Sequence, residues 1–564
     1  MNILLIQPPI RDFYYTPLRS FPLGLCYLAA ALEEQRHTVR ILDCIHGARQ
    51  RRIVRDDRFA YLDDFYVPGL QSPFGLFKNM KHYGLSYEEI ETEIARSAAD
   101  MVGISMLFSA YADEACTVAR IVKKIYPAVP VIAGGHHATA YGQRLLAREP
   151  AIDIVVTGEG EAVFTRIANS WPRLEAVPGC VYRTGKSTVV STATALPTAL
   201  TERTPARHLL SLDDYQIAGK RYTPLFTTRG CPMQCRFCSV SGMFGSRLRV
   251  REPAAVVREI IDCYDRYGMR IFDLEDDNFT ADRDYAEAVL RSLVAMRGGR
   301  TFELTAMNGL SYMHLDEELL GLLSAAGMRR LNISLVTAAR ETGRIFSRHV
   351  GKERFESVVR SAHEKGMQVT AYLILGMPGD TVAGMLESIW YLAALPVLIG
   401  PSVYYHVPGS SLFEELEKSG EARWDDYPFF RSSAFFYENK NFLRSDCVSL
   451  FYLVRMINFI KGLTQQETAI LRTYEFDISG LAHTLGVRCD LHAAALLADR
   501  PLRMVEVGMF LICYMRQNGI FAHVRRLPNN RGQHRYIFVP CKISPDIFSS
   551  FCENFYSLFI MNRL

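Results

Sequence analysis

The feature that most constrains the fold is an alternation of short apolar runs with helical patterns, which occurs twice along the chain. Such alternation is typical of parallel sheets, because a parallel crossover needs a long connection that is usually a helix. In residues 1–171 it predicts a doubly wound, Rossmann-like α/β domain. The strands predicted there are Asn2–Ile6, Thr38–Leu42, Met101–Met106, Val129–Ala133 and Ile152–Val156. A polar and aromatic insertion at residues 45–95 has no assigned structure.

The second alternation follows a proline-rich stretch. Residues 172–218 hold prolines at a spacing that no helix tolerates, so we expect a connector there. The next strands are predicted at Pro224–Thr228, Arg270–Leu274, Phe302–Met307, Arg330–Leu335, Gln368–Leu375 and Pro401–His406. Six strand–helix units in residues 219–415 predict a partial (β/α)6 barrel. The clearest helix is Pro253–Tyr267, which starts on proline and stops at Gly268.

Residues 416–564 lose the strand pattern and predict a mainly helical C-terminal domain that closes the barrel mouth and helps to form a substrate pocket. Helical spacing covers residues 446–462 and 502–517, and residues 524–538 predict a hairpin. An aromatic-rich stretch at residues 429–442 is either core or a wall of the pocket. We expect it to be core.

The composition argues against several classes of protein. Lys and Arg total 64 against 60 Asp and Glu, which is too even for a dedicated nucleic-acid binder. Thirteen cysteines in 564 residues are too dilute for a disulfide scaffold. The longest apolar run falls short of the ~20 residues that span a bilayer, and the chain starts in a strand pattern instead of a signal peptide. We therefore expect an enzyme in a reducing cytoplasm.

Three cysteines at C-x3-C-x2-C spacing form the most informative segment. Cys231, Cys235 and Cys238 follow a predicted strand within one loop, where their sulfurs can converge. Thiolates bind zinc and iron–sulfur clusters, but a structural zinc or an electron-transfer 4Fe–4S cluster needs four ligands. The nearest fourth cysteine, Cys263, falls in the predicted helix Pro253–Tyr267. Three thiolates on a four-iron cluster would leave one iron open for a substrate.

This motif, with aromatic Phe237 before the last cysteine, resembles the radical S-adenosylmethionine (SAM) superfamily, and the resemblance covers residues 220–410. It implies a 4Fe–4S cluster whose open iron binds the amino and carboxylate groups of SAM. The reduced cluster would cleave SAM to methionine and a 5′-deoxyadenosyl radical. A reduced flavodoxin or ferredoxin is the electron donor that the family implies. The alternative is a zinc knuckle of three cysteines and a histidine.

The same resemblance implies SAM contacts at the carboxyl ends of the barrel strands. The acidic run after the second strand would bind the amino group and ribose, Arg340 the carboxylate, and the glycine segment at Gly376 the adenine. A solvated acidic turn and a surface arginine are the alternatives for the first two. The SAM-binding residues predicted in this way are Phe237, Glu275, Asp276, Asp277, Asn308, Asn332, Ser334, Arg340, Gly376, Tyr404 and His406.

The first domain resembles the cobalamin-binding domain of cobalamin-dependent radical SAM enzymes, on the stretches 4–9, 102–105, 133–137 and 157–161. The resemblance places five residues near the corrin or its nucleotide tail: Ser105, Gly134, Gly135, Gly158 and Glu159. Gln7-Pro8-Pro9 lacks the D-x-H-x-x-G pattern that supplies a cobalt-ligating histidine, so we expect none. A nucleotide-binding domain, or one that only packs against the barrel, is the alternative.

These resemblances imply a cobalamin-dependent radical SAM methyltransferase. One SAM would methylate Co(I), and a second would give the radical that removes hydrogen from an unactivated carbon of a small molecule. Methylcobalamin would then supply the methyl group. The second hypothesis is a cyclase, ring-rearranging or oxidising enzyme without net methyl transfer. The third is a non-catalytic sensor or carrier of a cluster or corrinoid.

Overall fold

The computed structural model describes residues 1–13, 21–45, 49–65, 79–184, 188–193, 197, 199–200, 202–347, 351–461, 520–528 and 534–542. The helix predicted at residues 502–517 lies outside these ranges. None of the described helices combines the length and the apolar character that crossing a bilayer requires.

The first part of the chain folds as a sheet covered by helices on both faces. Its strands are β1 (Asn2–Gln7), β2 (Ile10–Asp12), β3 (Thr38–Asp43), β4 (Gln50–Arg52), β5 (Lys81–Tyr83), β6 (Met101–Ser105), β7 (Val131–Gly134), β8 (Ile154–Val156), β9 (Cys180–Thr184) and β10 (Thr188–Ser191). Its helices are α1 (Leu23–Glu34), α2 (Tyr87–Ala95), α3 (Ala112–Ile125), α4 (His136–Arg148) and α5 (Gly160–Ser170).

The strand order of the main sheet is β10-β9-β8-β7-β6-β1-β3. The five strands from β8 to β3 are parallel, and their order is the doubly wound arrangement known from flavodoxin-like folds. The predicted Rossmann-like fold is therefore confirmed. The insertion without assigned structure contributes β4 and β5, which form a small sheet with β2, and helix α2.

The predicted connector is more ordered than expected. Its residues 180–191 form the antiparallel hairpin β9–β10, which extends the main sheet beyond β8. Cys180, Val181 and Tyr182 are buried within it. The first sheet therefore continues past residue 171, where the sequence placed the end of the domain.

The second part is the barrel. Its strands are β11 (Gln216–Ile217), β12 (Lys220–Leu225), β13 (Thr228–Arg229), β14 (Arg249–Val250), β15 (Ile271–Leu274), β16 (Glu303–Thr305), β17 (Arg330–Val336), β18 (Gln368–Leu375) and β19 (Leu398–Val403). Its helices are α6 (Val240–Phe244), α7 (Pro253–Tyr267), α8 (Arg283–Arg297), α9 (Glu317–Ala326), α10 (Arg340–Ile345), α11 (Lys352–Glu364), α12 (Val382–Ala393) and α13 (Ser411–Ser419).

Six of these strands form the expected parallel arc. β12, β15 and β16 pair in that order, as do β17, β18 and β19. Parallel bridges Leu304–Met328 and Leu310–Ile333 join the two groups. Helix α7 has the predicted bounds, and Gly268 ends it in the left-handed conformation at φ 68°. Cys263 is buried in α7, away from the surface.

The last described elements are α14 (Arg444–Lys461), β20 (Ile520–Pro528) and β21 (His534–Lys542). The pairing of β20 with β21 confirms the predicted hairpin. The aromatic residues of the stretch 429–442 are buried except for half-buried Phe436, which confirms that the stretch is mostly core.

A strap, residues 424–437, crosses from the barrel to the first domain. Arg431 anchors it by donating to the backbone oxygens of Arg11 and Ala110, each at 2.6 Å, and by pairing with Asp12 at 3.3 Å. Ser433 also donates to Asp12 at 2.7 Å. The strap therefore ties the barrel mouth to β2 and to the turn that follows β6.

Candidate functional site

The cysteine loop leaves β13 and returns through α6 to β14. The two strands form an antiparallel ribbon in which Arg229 faces Arg249. Gly230 turns the chain into the loop at φ 89°, and a Cβ there would lie 2.4 Å from the Arg247 carbonyl oxygen, so a side chain has no room. The Cys238 amide donates to the Cys235 carbonyl at 3.0 Å, which closes the loop on itself.

The three loop cysteines are free thiols and are half-buried, whereas the other described cysteines are fully buried. Burial raises the pKa of Cys231, and it raises the pKa of Cys238 to about 11. Among the described residues, no three His, Cys, Asp or Glu side chains converge where a single metal ion would sit. A four-iron cluster makes a different demand, because each cysteine binds its own iron. The loop fits such a cluster.

Asp276 holds the start of this loop from below. Its carboxylate is 3% exposed and accepts hydrogen bonds from the Thr227 amide at 3.1 Å, the Thr227 hydroxyl at 2.8 Å and the Thr228 amide. Burial raises the pKa of Asp276 to about 6, and the hydrogen bonds oppose that rise. This geometry favours a positioning role for Asp276, which holds the loop, rather than the SAM contact that the sequence predicted.

The neighbouring polar residues face the loop and the barrel lumen. Asp277 accepts from the Gly230 amide at 3.2 Å, and burial raises its pKa to about 6. Glu275 accepts from the Asn308 amide group at 2.8 Å, so these two predicted residues lie together. Asn278, the last residue of the same run, places its amide nitrogen 3.8 Å from the Cys231 sulfur.

The other predicted SAM residues are spread over three strand ends. The Asn332 amide group donates to the Ala306 carbonyl at 3.2 Å, and Ser334 lies beside Gly309. Arg340 is exposed at the first residue of α10. Gly376 is buried at φ 76°, where a Cβ would lie 2.7 Å from the Cys447 sulfur. That glycine is required by packing against α14, whatever binds nearby.

Tyr404 and His406 belong to a buried aromatic cluster. The Tyr404 hydroxyl lies 3.3 Å from His406 Nδ1, and the His406 ring contacts Phe413, Phe430 and Tyr437 edge-on or tilted. Burial lowers the pKa of His406 to about 4, so the ring is neutral at pH 7. Half-buried Phe237 packs edge-on against Phe346.

A cavity of about 770 Å³ opens beside this cluster. Its lining joins the cysteine loop to the strap and the residues just after it. The residues that make this connection are Arg236, Gly379, His406, Phe436, Tyr437 and Arg444. A volume of this size suits a small organic molecule.

The loops at the carboxyl edge of the first sheet meet the barrel. Ser105 and Gly134 are register partners at the ends of β6 and β7. Gly135 adopts φ 117°, and the Gly158 amide donates to Thr139 at 3.0 Å. Thr139 in turn contacts the Met243 sulfur at 3.4 Å, which brings this edge against α6 of the cysteine loop.

The same edge exposes two large apolar side chains that the sequence analysis did not single out. Leu107 and Phe108, directly after β6, are 46% and 45% exposed. His137, by contrast, is buried with Nδ1 3.0 Å from the Ser109 hydroxyl. An exposed apolar surface beside the half-buried residues Ser105, Gly134 and Gly135 suits the flat face of a macrocycle. The residues present therefore fit a corrin.

Glu159, which the sequence predicts near the cobalamin, is engaged by two arginines of the β13–β14 ribbon. Its carboxylate pairs with Arg229 at 2.6 Å and with Arg249 at 2.5 Å, and all three side chains are buried. Glu161 pairs with Arg229 at 2.7 Å. The loop after β8 is thus joined to the base of the cysteine loop by charge. A single sequence carried no signal for this pairing, because its partners lie 70 and 90 residues away.

Comparison with known families agrees with this architecture. The profile of the Radical SAM superfamily matches residues 225–389, and that of the B12 binding domain matches residues 75–168. The first match covers most of the six-strand arc and the cysteine loop. The second covers the strands β6 to β8 with their glycine loops.

Individual relatives have low sequence identity to this chain, but the matches are long. The chain is 26% identical over 437 residues to the cytidylyl-2-hydroxyethylphosphonate methyltransferase of Streptomyces wedmorensis, a match that covers 69% of this chain and 76% of that protein. It is also 26% identical over 347 residues to the anaerobic magnesium-protoporphyrin IX monomethyl ester cyclase of Rubrivivax gelatinosus. That match covers 59% of this chain and 61% of the cyclase.

A solved structure shows the same fold. It is that of the radical S-adenosylmethionine methyltransferase TsrM from Kitasatospora setae, with cobalamin and a 4Fe–4S cluster bound. The TM-score is 0.55 at 18% identity, and the match covers 74% of this chain and 78% of that one. The agreement extends over both the doubly wound domain and the barrel.

Proposed function

We infer that this chain, which belongs to the radical SAM superfamily and also carries a B12-binding domain, is an enzyme that methylates an unactivated carbon of a small molecule in a cobalamin-dependent reaction. The observation that carries this conclusion is the contact between the two sites. The cysteine loop of the barrel and the glycine loops of the first sheet meet through α6 and through the ion pairs of Glu159. Two cofactors bound there would share one reaction space.

The cysteine loop would hold the cluster. Cys231, Cys235 and Cys238 supply three thiolates, and Asp276 and Gly230 give the loop its shape. When bound, the cluster supplies the electron that cleaves SAM to methionine and a 5′-deoxyadenosyl radical, while the corrin carries a methyl group. The Asn278 amide, 3.8 Å from Cys231, would tune the cluster through a hydrogen bond to sulfur.

The barrel lumen would hold SAM. Glu275 and Asn308 present a paired carboxylate and amide at the end of β15 and β16, and Asn332 and Ser334 follow on β17. In this proposal Arg340 pairs with the SAM carboxylate, Gly376 lies at the adenine, and Phe237, Tyr404 and His406 are further SAM contacts. Asp277 holds the loop through Gly230 beside them.

The first sheet would hold cobalamin along its carboxyl edge. Ser105, Gly134 and Gly135 are half-buried along this edge and Gly158 is buried beside them, while Leu107 with Phe108 offers apolar cover for the macrocycle. The substrate would occupy the cavity of about 770 Å³, where Phe436 and Tyr437 offer apolar contacts and Arg236, Glu415 and Arg444 offer charged ones.

The domain limits proposed for this enzyme are residues 1–171 with the added hairpin 180–191, the rest of the connector to 218, the barrel to 415, and the C-terminal part beyond it. A reduced flavodoxin or ferredoxin remains the proposed electron donor. A reducing cytoplasm is the proposed location, since all nine described cysteines are free thiols.

The decisive experiment starts with anaerobic reconstitution with iron and sulfide, followed by incubation with hydroxocobalamin and desalting. A retained corrin band with ~4 iron per chain supports the two-cofactor enzyme. Incubation with SAM, a reductant and candidate substrates then separates the reactions. Methylation gives S-adenosylhomocysteine and 5′-deoxyadenosine in equal amounts, because one SAM donates methyl and another yields the radical.

The similarity to the anaerobic cyclase of Rubrivivax gelatinosus supports a second candidate, a cyclising or oxidising reaction. That reaction would produce 5′-deoxyadenosine without S-adenosylhomocysteine. Deuterium from methyl-labelled SAM would then be absent from the product. Iron without retained corrin would overturn the cobalamin assignment.

A further inference from the structure

We propose that Glu159 is a positioning residue that clamps the glycine loop of the B12-binding domain to the base of the cysteine loop and so fixes the separation of the two cofactor sites. This inference rests on the proposed function, because only an enzyme with two cofactors requires a fixed separation between them. It assigns to Glu159 a role other than the cofactor contact that the sequence predicted.

One carboxylate, that of Glu159, contacts both strands of the ribbon. Arg229 and Arg249 face each other across β13 and β14, directly below the cysteine loop. Glu159 binds Arg229 through Oε2 at 2.6 Å and Arg249 through Oε1 at 2.5 Å. The side chains are 6%, 9% and 4% exposed, so solvent does not screen these contacts.

The two arginines of this contact are matched by two glutamates, so its formal charges cancel. Glu161 supplies the second negative charge, 2.7 Å from Arg229. Aromatic rings of Tyr27, Phe226 and Phe244 lie 5.2 to 5.7 Å from the Arg229 guanidinium carbon. Removing one partner from a buried ion pair leaves an uncompensated charge, which is far more costly than losing an exposed pair.

The residues of the clamp are close neighbours, along the backbone, of both proposed cofactor sites. Arg229 stands two residues before Cys231, with only Gly230 between them. Glu159 stands between Gly158, whose amide is held by Thr139, and the first residue of α5. A shift of Glu159 is therefore transmitted to the glycine loop on one side and to the cysteine loop on the other.

The first test uses the protein without cofactors and compares three variants. Glu159→Gln removes the clamp, and Glu161→Gln is a milder change that leaves Glu159 in place. Glu149→Gln is the control within the same domain, because Glu149 is also a buried carboxylate paired with an arginine, although that partner, Arg120, is 62% exposed. Peptide-resolved labelling by a thiol reagent measures how often the loop cysteines become accessible.

We expect Glu159→Gln to increase the labelling rate of Cys231 and Cys235 by about tenfold or more, Glu161→Gln to increase it less, and Glu149→Gln to leave it unchanged. Equal rates in all three variants and the wild type would overturn the proposal. A uniform increase at the buried cysteines as well would indicate a merely structural role and would also overturn it. If Glu159→Gln does not fold, the Glu161→Gln result decides.

The second test measures the separation itself. Pulsed electron paramagnetic resonance on reconstituted protein with cob(II)alamin reports the distance between cobalt and the reduced cluster. We expect one narrow distribution in the wild type and in Glu149→Gln, and a distribution at least about twice as broad in Glu159→Gln. A narrow distribution in Glu159→Gln would refute the clamp while leaving the methyltransferase intact. Wild-type protein that retains no corrin would refute the proposed function, and the thiol labelling would still test the clamp.

Discussion

The hydrogen bonds of Asp276 give the sharpest quantitative prediction about the cysteine loop. Its buried carboxylate accepts from the amide and hydroxyl of Thr227 and from the amide of Thr228, and both threonines have no exposed surface. Asp276→Ala would leave these donors buried without an acceptor, at about 1–3 kcal/mol for each. Asp276→Asn would keep one acceptor oxygen and remove the charge.

The charge is itself a cost in this position. Burial raises the pKa of Asp276 from 3.8 to about 6, which corresponds to about 3 kcal/mol between the two protonation states. Removing this charge therefore offsets what Asp276→Asn loses when its NH2 group lies near the Thr227 amide, whose nitrogen is 3.3 Å from the second oxygen. At pH 8 we expect the loop to be at least as stable in the Asn variant as in the wild type. In the Ala variant we expect its local stability to be about 3 kcal/mol lower than in the Asn variant.

Hydrogen exchange of the peptide that contains Thr227 and Thr228 measures this local stability directly. About 3 kcal/mol corresponds to a protection factor roughly a hundredfold lower in Asp276→Ala than in Asp276→Asn. Because the folded pKa is raised, the contribution of Asp276 is fully present below pH 3.8 and is lost as the pH rises through about 6. The ratio of Asn to wild-type protection should therefore rise between pH 4 and 7. A flat ratio, or equal exchange in Ala and Asn variants, would refute the reasoning.

Three further predictions test the loop and the strap. Gly230→Ala should lower iron incorporation about fivefold or more without unfolding the chain, since its Cβ would lie 2.4 Å from the Arg247 carbonyl oxygen; normal iron content by colorimetric assay would contradict this. Cys235→Ala should lose the cluster spectrum, whereas Cys263→Ala, at a buried site in α7, should retain it. Arg431→Lys keeps the charge but loses carbonyl contacts, so exchange in the strap should accelerate by about tenfold, and an unchanged rate would show that the arginine does not anchor it.

The elements that the sequence predicted best are those with a local cause. Helix Pro253–Tyr267 and strand Gln368–Leu375 match the structure at both ends, because the helix's proline start and glycine stop and the strand's apolar run are all readable within the segment itself. The hairpin β9–β10 was missed for the opposite reason. Its strands are short and lie at the edge of the sheet, and β9 is held by pairing with β8, which the local pattern does not reveal.

The site divides along the same line. Cys231, Cys235 and Cys238 lie within one turn of chain, so their spacing alone indicated a shared ligand. Glu159 and Asp276 were each assigned to a cofactor by resemblance to the family. In the folded chain Glu159 forms ion pairs with Arg229 and Arg249 of the ribbon, and Asp276 accepts hydrogen bonds from Thr227 and Thr228 at its entry.

There is a physical reason why both carboxylates contact the residues at the base of the cysteine loop. The three cysteines of the loop are only half-buried, so the loop cannot be fixed by burying them, and Gly230 adds conformational freedom at its start. Its shape must therefore be imposed from outside by buried polar contacts, which are strong and directional in a low dielectric. Asp276 imposes it from the barrel side and Glu159 from the first domain. Acidic residues at the strand ends of such an enzyme thus divide into those that face a cofactor and those that hold the loop, and only the partners in the folded chain distinguish the two.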